Sequence, residues 1–299
     1  MYKYWGFGLH ITSEIEFPEL LPFDFKHADV NITLGEIPAV DAITLFSMGR
    51  ITYKMNDREL VFSVDGLTSY YVTGGNSIVI QPYPSDVQER VVRLFVLGAA
   101  MAGILQQRRQ IPLHTAAVIV NGRLTLIAGQ SGAGKSTTLA GLRKRQYKIF
   151  SDDITVLEEL PDDDRISGIA SYPMIKLWEN SMKTLQLDDR SFPIVPGFEK
   201  YGFFFHGAFD TQHYPVERII LLDAQDEMEG IHHKQLYGSE AFAAVVQHIY
   251  KASFFRQPTM RALCFDVISK LVNGSEVHQV SRPFICEPDA LLDVVTSIM

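Results

Sequence analysis

The segment Gly129-Gln130-Ser131-Gly132-Ala133-Gly134-Lys135-Ser136 constrains this chain more than any other. It fits G-x-x-x-x-G-K-[ST] in full. Glycines let such a loop wrap with its backbone N–H groups facing phosphate oxygens, and the helix that follows adds its positive N-terminal dipole. The lysine reaches the β- and γ-phosphates, and the hydroxyl can ligate Mg²⁺. At average amino-acid usage a chance match somewhere in a chain of this size occurs roughly once in a hundred. The context narrows it further: the β-prone run Arg123 to Ala128 enters the loop, and a helix from Ser136 to about Arg145 leaves it. The candidate phosphate contacts are Gly129, Ser131, Gly132, Ala133, Gly134, Lys135, Ser136 and Thr137.

The run before the loop strand, Thr115 to Val120, is joined to it by Asn121-Gly122, which predicts a tight hairpin because both turn positions need positive φ. After the loop helix, Tyr147 to Ser151 reads as an apolar strand ending in Asp152-Asp153. In a parallel arrangement that strand can lie beside the loop strand and bring the two acids to the γ-phosphate. One acid could hold Mg²⁺ while the other accepts the proton of an attacking hydroxyl. In a continuing strand only one would face the nucleotide. The pair also fits a strand-ending turn or a helix cap. His114, just upstream of the hairpin, is equally readable as a structural histidine or as a group near the transferred phosphate.

The residues before about 84 read differently. Ile51–Lys54, Leu60–Val64, Tyr70–Thr73 and Ser77–Ile80 are β-prone runs separated by Asn56-Asp57, Asp65-Gly66 and Gly74-Gly75-Asn76, the spacing of antiparallel hairpins. The segment around Phe17, Pro18, Pro22 and Phe23 reads as a loop crossing that sheet. Ser85 and Gln88 suggest a capping box opening one amphipathic helix, with Val91, Leu94, Phe95, Gly98, Ala102 and Leu105 on its apolar stripe and Arg108-Arg109 at its end. Further on, Val216–Asp223 reads as a buried strand, Ser239–Phe255 and Pro258–Val272 as helices, and Asp162-Asp163-Asp164 as a solvated loop. The expected division is a β-rich domain over 1–84 and a catalytic domain over 85–299.

Composition excludes several classes. With 27 Lys+Arg against 35 Asp+Glu, the net charge of −8 makes no broad basic surface for nucleic acid. The longest apolar run, Leu94 to Leu105, is shorter than the roughly 20 residues of a membrane span, and the N-terminus lacks the pattern of a signal peptide. Two cysteines, Cys264 and Cys286, are too few for a disulfide scaffold. A cytoplasmic protein is the expectation.

The loop at 129–136, Leu113-His114 before the hairpin and Ser151-Asp152-Asp153 after the loop helix together resemble the HPr serine kinase/phosphorylase superfamily. The resemblance extends from about Ser85 to the C-terminus and is most specific over 112–154. It implies an α/β P-loop kinase domain related to phosphoenolpyruvate carboxykinase, preceded by the small β-rich domain, and an ATP- and Mg²⁺-dependent serine kinase acting on a peptide or small protein. By position it implies Gly129 to Thr137 for the triphosphate, with Lys135 countering charge on the moving phosphoryl group. It also implies Ser136 and Asp153 at the metal, Asp152 as the base and His114 near the transferred group. Homo-oligomers occur among such relatives.

The Met-Glu-x-Arg-Gly-Leu-Gly segment of true HPr kinases is replaced by Tyr172-Pro173-Met174-Ile175-Lys176-Leu177-Trp178, and the Arg-Pro-Gly-Arg-Asn signature is missing. The chain looks more like the divergent enzymes encoded with lasso-peptide genes, which phosphorylate the C-terminal serine of a precursor peptide. An HPr-type kinase is the alternative, as is a nucleotide-gated scaffold without phosphoryl transfer. Lys176, Lys200 and Arg256 are candidate charge-stabilising or substrate-binding cations, each also readable as a surface charge. The aromatics Trp178, Phe192, Phe198, Tyr201, Phe203, Phe204 and Phe205 read as core, or as a peptide groove if exposed.

Overall fold

The computed structural model describes residues 1–41, 44–160, 165–179, 182, 192–194, 199–226 and 228–299. The Asp162–Asp164 loop and Phe198 lie outside them. The chain divides into a front unit, residues 1–110 with 253–255, and a rear unit, 111–252 with 256–299. No helix among the described residues is long and apolar enough to cross a membrane.

Nine strands make up the front sheet: β1 Tyr2–Gly6, β2 Leu9–Ser13, β3 Leu21–Pro22, β4 Val30–Leu34, β5 Thr44–Met48, β6 Ile51–Met55, β7 Glu59–Val64, β8 Thr68–Thr73 and β9 Ser77–Ile80. Their order is β3-β1-β2-β4-β9-β8-β7-β6-β5. The expected hairpins form the antiparallel meander β6 to β9. Alternation puts Leu60, Phe62, Tyr70, Val72, Ile78 and Ile80 on the buried face, where the Phe62 and Tyr70 rings stack with centroids 4.5 Å apart.

Helix α1 spans 89–107 and packs on this sheet. Tyr70 Oη donates to Val92 O at 3.1 Å, and a Cβ at Gly103 would stand 2.7 Å from Leu60 Cδ2. The boundary expected at 84/85 therefore falls at 110, because the helix buries its stripe on the front strands. It starts three residues later than the Ser85 capping box predicts, its N-cap being Gln88, since Pro84 to Val87 close a turn instead. A π turn at Val96–Ala100 inserts one residue into the helical phase. Val92, Val96, Ala99 and Ala100 are buried in consequence, while Val91, Leu94, Phe95 and Gly98 are only half-buried. The segment expected as a crossing loop instead gives the edge strand β3 at Leu21–Pro22, and just before it Glu19 takes both carboxylate bonds from Arg93 Nε, at 2.9 and 3.1 Å.

The rear unit is a mixed α/β assembly around β12 (Arg123–Gly129). Its hairpin partner β11 (Thr115–Val120) runs antiparallel on one side, through a turn in which Asn121 and Gly122 both have positive φ. On the other side β19 (Tyr214–Gln225) runs parallel to β12, with β21 (Glu276–Pro283) parallel beyond it and β20 (His232–Leu236) antiparallel at that edge. β13 (Lys148–Ser151) pairs with β11, not with the loop strand. Being antiparallel to β11, it still runs the same way as β12, so both strands end, and β11 begins, at one edge.

Strands β10 (Ile111–Leu113), β14 (Thr155–Glu159) and β15 (Ile166–Ala170) continue the sheet from β19. β16 (Met174–Trp178), β17 (Phe192–Pro193) and β18 (Lys200–Phe204) form a separate antiparallel sheet. Helix α2 (Lys135–Lys144) packs against α5 (Pro288–Ile298), with Leu139, Leu142, Ile127, Leu222, Leu292 and Val295 in a common core.

The helix expected over 239–255 ends early. After α3 (Gly238–Val246) the backbone of 248–250 is bonded to 112–114: His114 N donates to His248 O at 2.7 Å and Tyr250 N to Pro112 O at 2.8 Å. Lys251 then takes φ 52° and a 3₁₀ turn, Ala252–Phe255, follows. The last long helix, α4, spans Pro258–Gly274.

Candidate functional site

The loop between β12 and α2 needs glycine for two separate reasons. Gly129 has φ 155° and its missing Cβ would meet Leu222 O at 2.6 Å, while Gly134 caps α2 at φ 103°. Around the loop lies a cavity of about 150 Å³ lined by His114, Ser131, Gly132, Gly134, Lys135, Ser136, Thr137, Asp152, Asp153, Lys176 and Lys200, with Leu177 and Trp178. Gly129 and Ala133 do not line it: the Gly129 carbonyl accepts from Lys135 Nζ at 2.7 Å, and the Ala133 carbonyl is taken by Arg282. Arg256 stands exposed and does not line the cavity.

Both acids reach the cavity because the strand stops. β13 ends at Ser151, and Asp153 turns to φ 74°, a left-handed conformation that costs a non-glycine residue about 1 kcal/mol or more. The sequence expectation of one inward and one outward side chain holds only for a continuing strand. Asp152, 2% exposed, accepts from Ser136 Oγ at 3.1 Å and from the Lys176 backbone N–H at 2.8 Å. Asp153 accepts from Lys176 Nζ at 2.7 Å and stands 3.4 Å from His114 Nδ1. The carboxylate that touches Ser136 is thus Asp152. Asp153, which the resemblance puts near a metal with Ser136, lines the same cavity and is held by Lys176 and His114.

These surroundings drive the two acids apart. Burial, and then the neighbouring Asp153 charge, push the Asp152 carboxyl up from 3.8 to about 6. Burial acts on Asp153 the same way, but the Lys176 ammonium and His114 outweigh it and hold that carboxyl well below the usual range. Lys176 is itself held charged: burial opposes its ammonium, and Asp153 and then Tyr172 overcome burial. Its Nζ lies 5.5 Å from the Tyr172 ring centroid. Lys135 moves down, first through burial, with Asp153 and Asp152 opposing.

His114 is also lowered, chiefly by burial. Its Nδ1 lies 2.9 Å from the Asp153 carbonyl, which can only accept, so that nitrogen carries the proton. Lys200 lies over the Trp178 ring, 5.7 Å from its centroid. Of the aromatics read as core or groove, Phe203 and Phe205 are buried, whereas Trp178 and Phe204 are exposed.

The donor set suits Mg²⁺. A hydroxyl bonded to a carboxylate beside a phosphate loop offers hard oxygens, and Mg²⁺ commonly takes one or two carboxylates with the rest of its shell from phosphates and water. Among the described residues no cluster of three or more His, Cys, Asp or Glu forms an all-protein metal cage, which such a shared site does not need.

Two participants escaped the sequence reading. Arg282, 7% exposed, donates to Ala133 O from Nε at 3.2 Å and Nη2 at 2.8 Å, and from Nη1 to the carbonyls of Pro283 and Phe284, both at 2.8 Å. Its signal was available: it falls on the buried alternation of β21 with His278 and Val280, where an arginine needs partners. His248, whose carbonyl fixes His114, carries no local signal.

No protein family matches the chain by sequence, and no curated protein does. Among solved structures, it is similar to the Hpr(Ser) kinase/phosphatase from Coxiella burnetii, at 12% identity over 62% of this chain and 89% of that chain, with a TM-score of 0.32. That likeness is too slight to bear on the argument.

Proposed function

We propose that the rear unit transfers the γ-phosphoryl group of a nucleoside triphosphate, ATP by the resemblance noted above, to a serine hydroxyl on a peptide or small protein. The observation that carries this reading is the Ser136–Asp152 contact: a phosphate-loop hydroxyl bonded to a buried carboxylate, with Lys135 and Lys176 lining the same cavity. The loop and Lys135 hold the phosphates. Ser136 would hold Mg²⁺ together with phosphate oxygens and water, with Asp153 the acid near it by the resemblance, and the ion would neutralise charge on the transferred phosphate. Asp152 orients the acceptor hydroxyl and takes its proton, a duty for which a carboxyl near pKa 6 is suited at neutral pH. Asp153 keeps Lys176 charged and fixed, and His114 helps hold Asp153.

Phosphoryl transfer asks mostly for positioning and charge stabilisation, and three lysines around two carboxylates provide both. The acceptor we favour is the C-terminal serine of a lasso-peptide precursor, on the strength of the Tyr172–Trp178 segment, with HPr-type proteins as the alternative. In vitro, ATP and Mg²⁺ with a serine-ended precursor peptide should give phosphate-mass increments that disappear without the peptide's serine. A nucleotide-gated scaffold would instead retain intact ATP and bind its partner only in the nucleotide's presence. ADP formation that depends on acceptor excludes that scaffold, and intact ATP with nucleotide-dependent partner binding excludes the kinase.

A further inference from the structure

A second cavity, of about 560 Å³, adjoins the phosphate loop, and the chemistry above makes no use of it. Gly132, Gly134 and Thr137 line both cavities, so the two adjoin at the loop. The far wall of the larger one is the segment after β21 and the start of α5, where Phe284 and Ile285 are 61% and 90% exposed. Two consecutive large apolar side chains thus face water on one wall of the cavity. Their backbone is nevertheless pinned: Phe284 N donates to Gln225 O at 2.9 Å and Phe284 O accepts from Arg282. Because the same guanidinium holds Ala133 O, this wall and the phosphate loop are braced as one piece. Thr138 also lines the cavity, and its buried hydroxyl has no hydrogen-bond partner.

We infer that this cavity receives the nucleoside of the nucleotide whose phosphates occupy the loop, with its base against Phe284 and Ile285. The inference rests on the phosphate-loop reading and adds the direction in which the ligand lies. Lys135 and the acid pair mark the γ end, because the loop lysine reaches the β- and γ-phosphates while backbone N–H groups cradle the α and β. The α-phosphate then lies toward Thr137, and whatever is attached to it runs into the larger cavity. That volume falls within the roughly 300–1,000 Å³ of small-molecule sites. A planar base meets there an aromatic face and aliphatic neighbours.

Calorimetric titration of the full chain with Mg-ATP and, separately, with Mg-tripolyphosphate separates nucleoside from phosphate binding. ATP should bind about tenfold more tightly than tripolyphosphate, the scale of one base stacked on an aromatic ring. The double variant Phe284→Ala/Ile285→Ala, altered only at exposed side chains, should remove most of that margin and leave tripolyphosphate affinity where it was. Cys286 gives an independent reading, since it lines the same cavity and Cys264 is buried: ATP should slow its alkylation by iodoacetamide, and tripolyphosphate should not. Equal affinities in the wild-type chain, equal losses in the variant, or alkylation indifferent to ATP would each overturn the nucleoside site while leaving the phosphate loop standing. Failure of both ligands to bind overturns the phosphate reading and this inference with it.

Discussion

Asp152 sets a conflict between stability and chemistry at a single residue. Its folded-state pKa is raised from 3.8 to about 6, so the native state binds this proton more tightly than the unfolded chain does. The resulting stability is complete below about pH 4 and is lost as pH rises through about 6. At neutral pH the ionised side chain therefore costs up to about 3 kcal/mol, two pKa units at 1.36 each. Asp152→Asn should raise the stability of the nucleotide-free protein by about 1–3 kcal/mol at pH 7.5, with the gain gone by pH 4, and should abolish transfer. Urea melts at the two pH values check the first part, and a destabilised variant at pH 7.5 would contradict it. Transfer by the unaltered protein should fall as pH drops below about 6.

Lys135, Ser136 and the acid pair were readable because the loop pattern dictates their neighbours. Lys176 is singled out in sequence only alongside Lys200 and Arg256, because a lysine in Met-Ile-Lys-Leu-Trp looks like any solvated strand position until Asp153 turns left-handed to meet it.

At the scale of elements, the phosphate loop depends on two supports that lie far away in sequence. Only glycine fits at position 129, because Leu222 of β19 leaves no room for a Cβ; Gly129→Ala should cost about 1–3 kcal/mol and most of the nucleotide affinity, through a displaced loop. Arg282 is a positioning residue whose guanidinium fork spans three carbonyls. Arg282→Met should weaken Mg-ATP and Mg-tripolyphosphate alike, by about tenfold, and Arg282→Lys should not restore them, because an ammonium cannot span the same acceptors. A loss confined to ATP would show that Arg282 acts on the base alone.

The Asn121-Gly122 hairpin and the loop helix were legible because each is encoded within a dozen residues. The placement of β13 was not, since a strand's partner is settled by the whole sheet. The π turn in α1 hid the helix's true stripe for a related reason, as a one-residue slip makes half-buried positions look like core.

Across the molecule, the net charge of −8 excludes a broad basic face but not a local one, and the candidate site gathers Lys135, Lys176 and Lys200 around one cavity. Length suggests two modules, and because the amphipathic pattern of α1 does not say which sheet it covers, the boundary expected at 84/85 precedes the helix while the compact unit runs to 110. Nor could sequence show that residues 253–255 return to the front unit, where Phe254 packs edge-on to Tyr53 with ring centroids 5.5 Å apart. Both rings are buried, so Phe254→Ala should destabilise the protein by about 3–5 kcal/mol, measurable by denaturant melts. The central claim, phosphoryl transfer by the Lys135–Ser136–Asp152 site, is tested most directly by mass spectrometry of a serine-containing peptide library incubated with ATP, Mg²⁺ and the full chain. The account predicts phosphate-mass increments on serine for the unaltered protein and none for Asp152→Asn; peptides left unmodified while ATP binds, or an active Asp152→Asn, would contradict it.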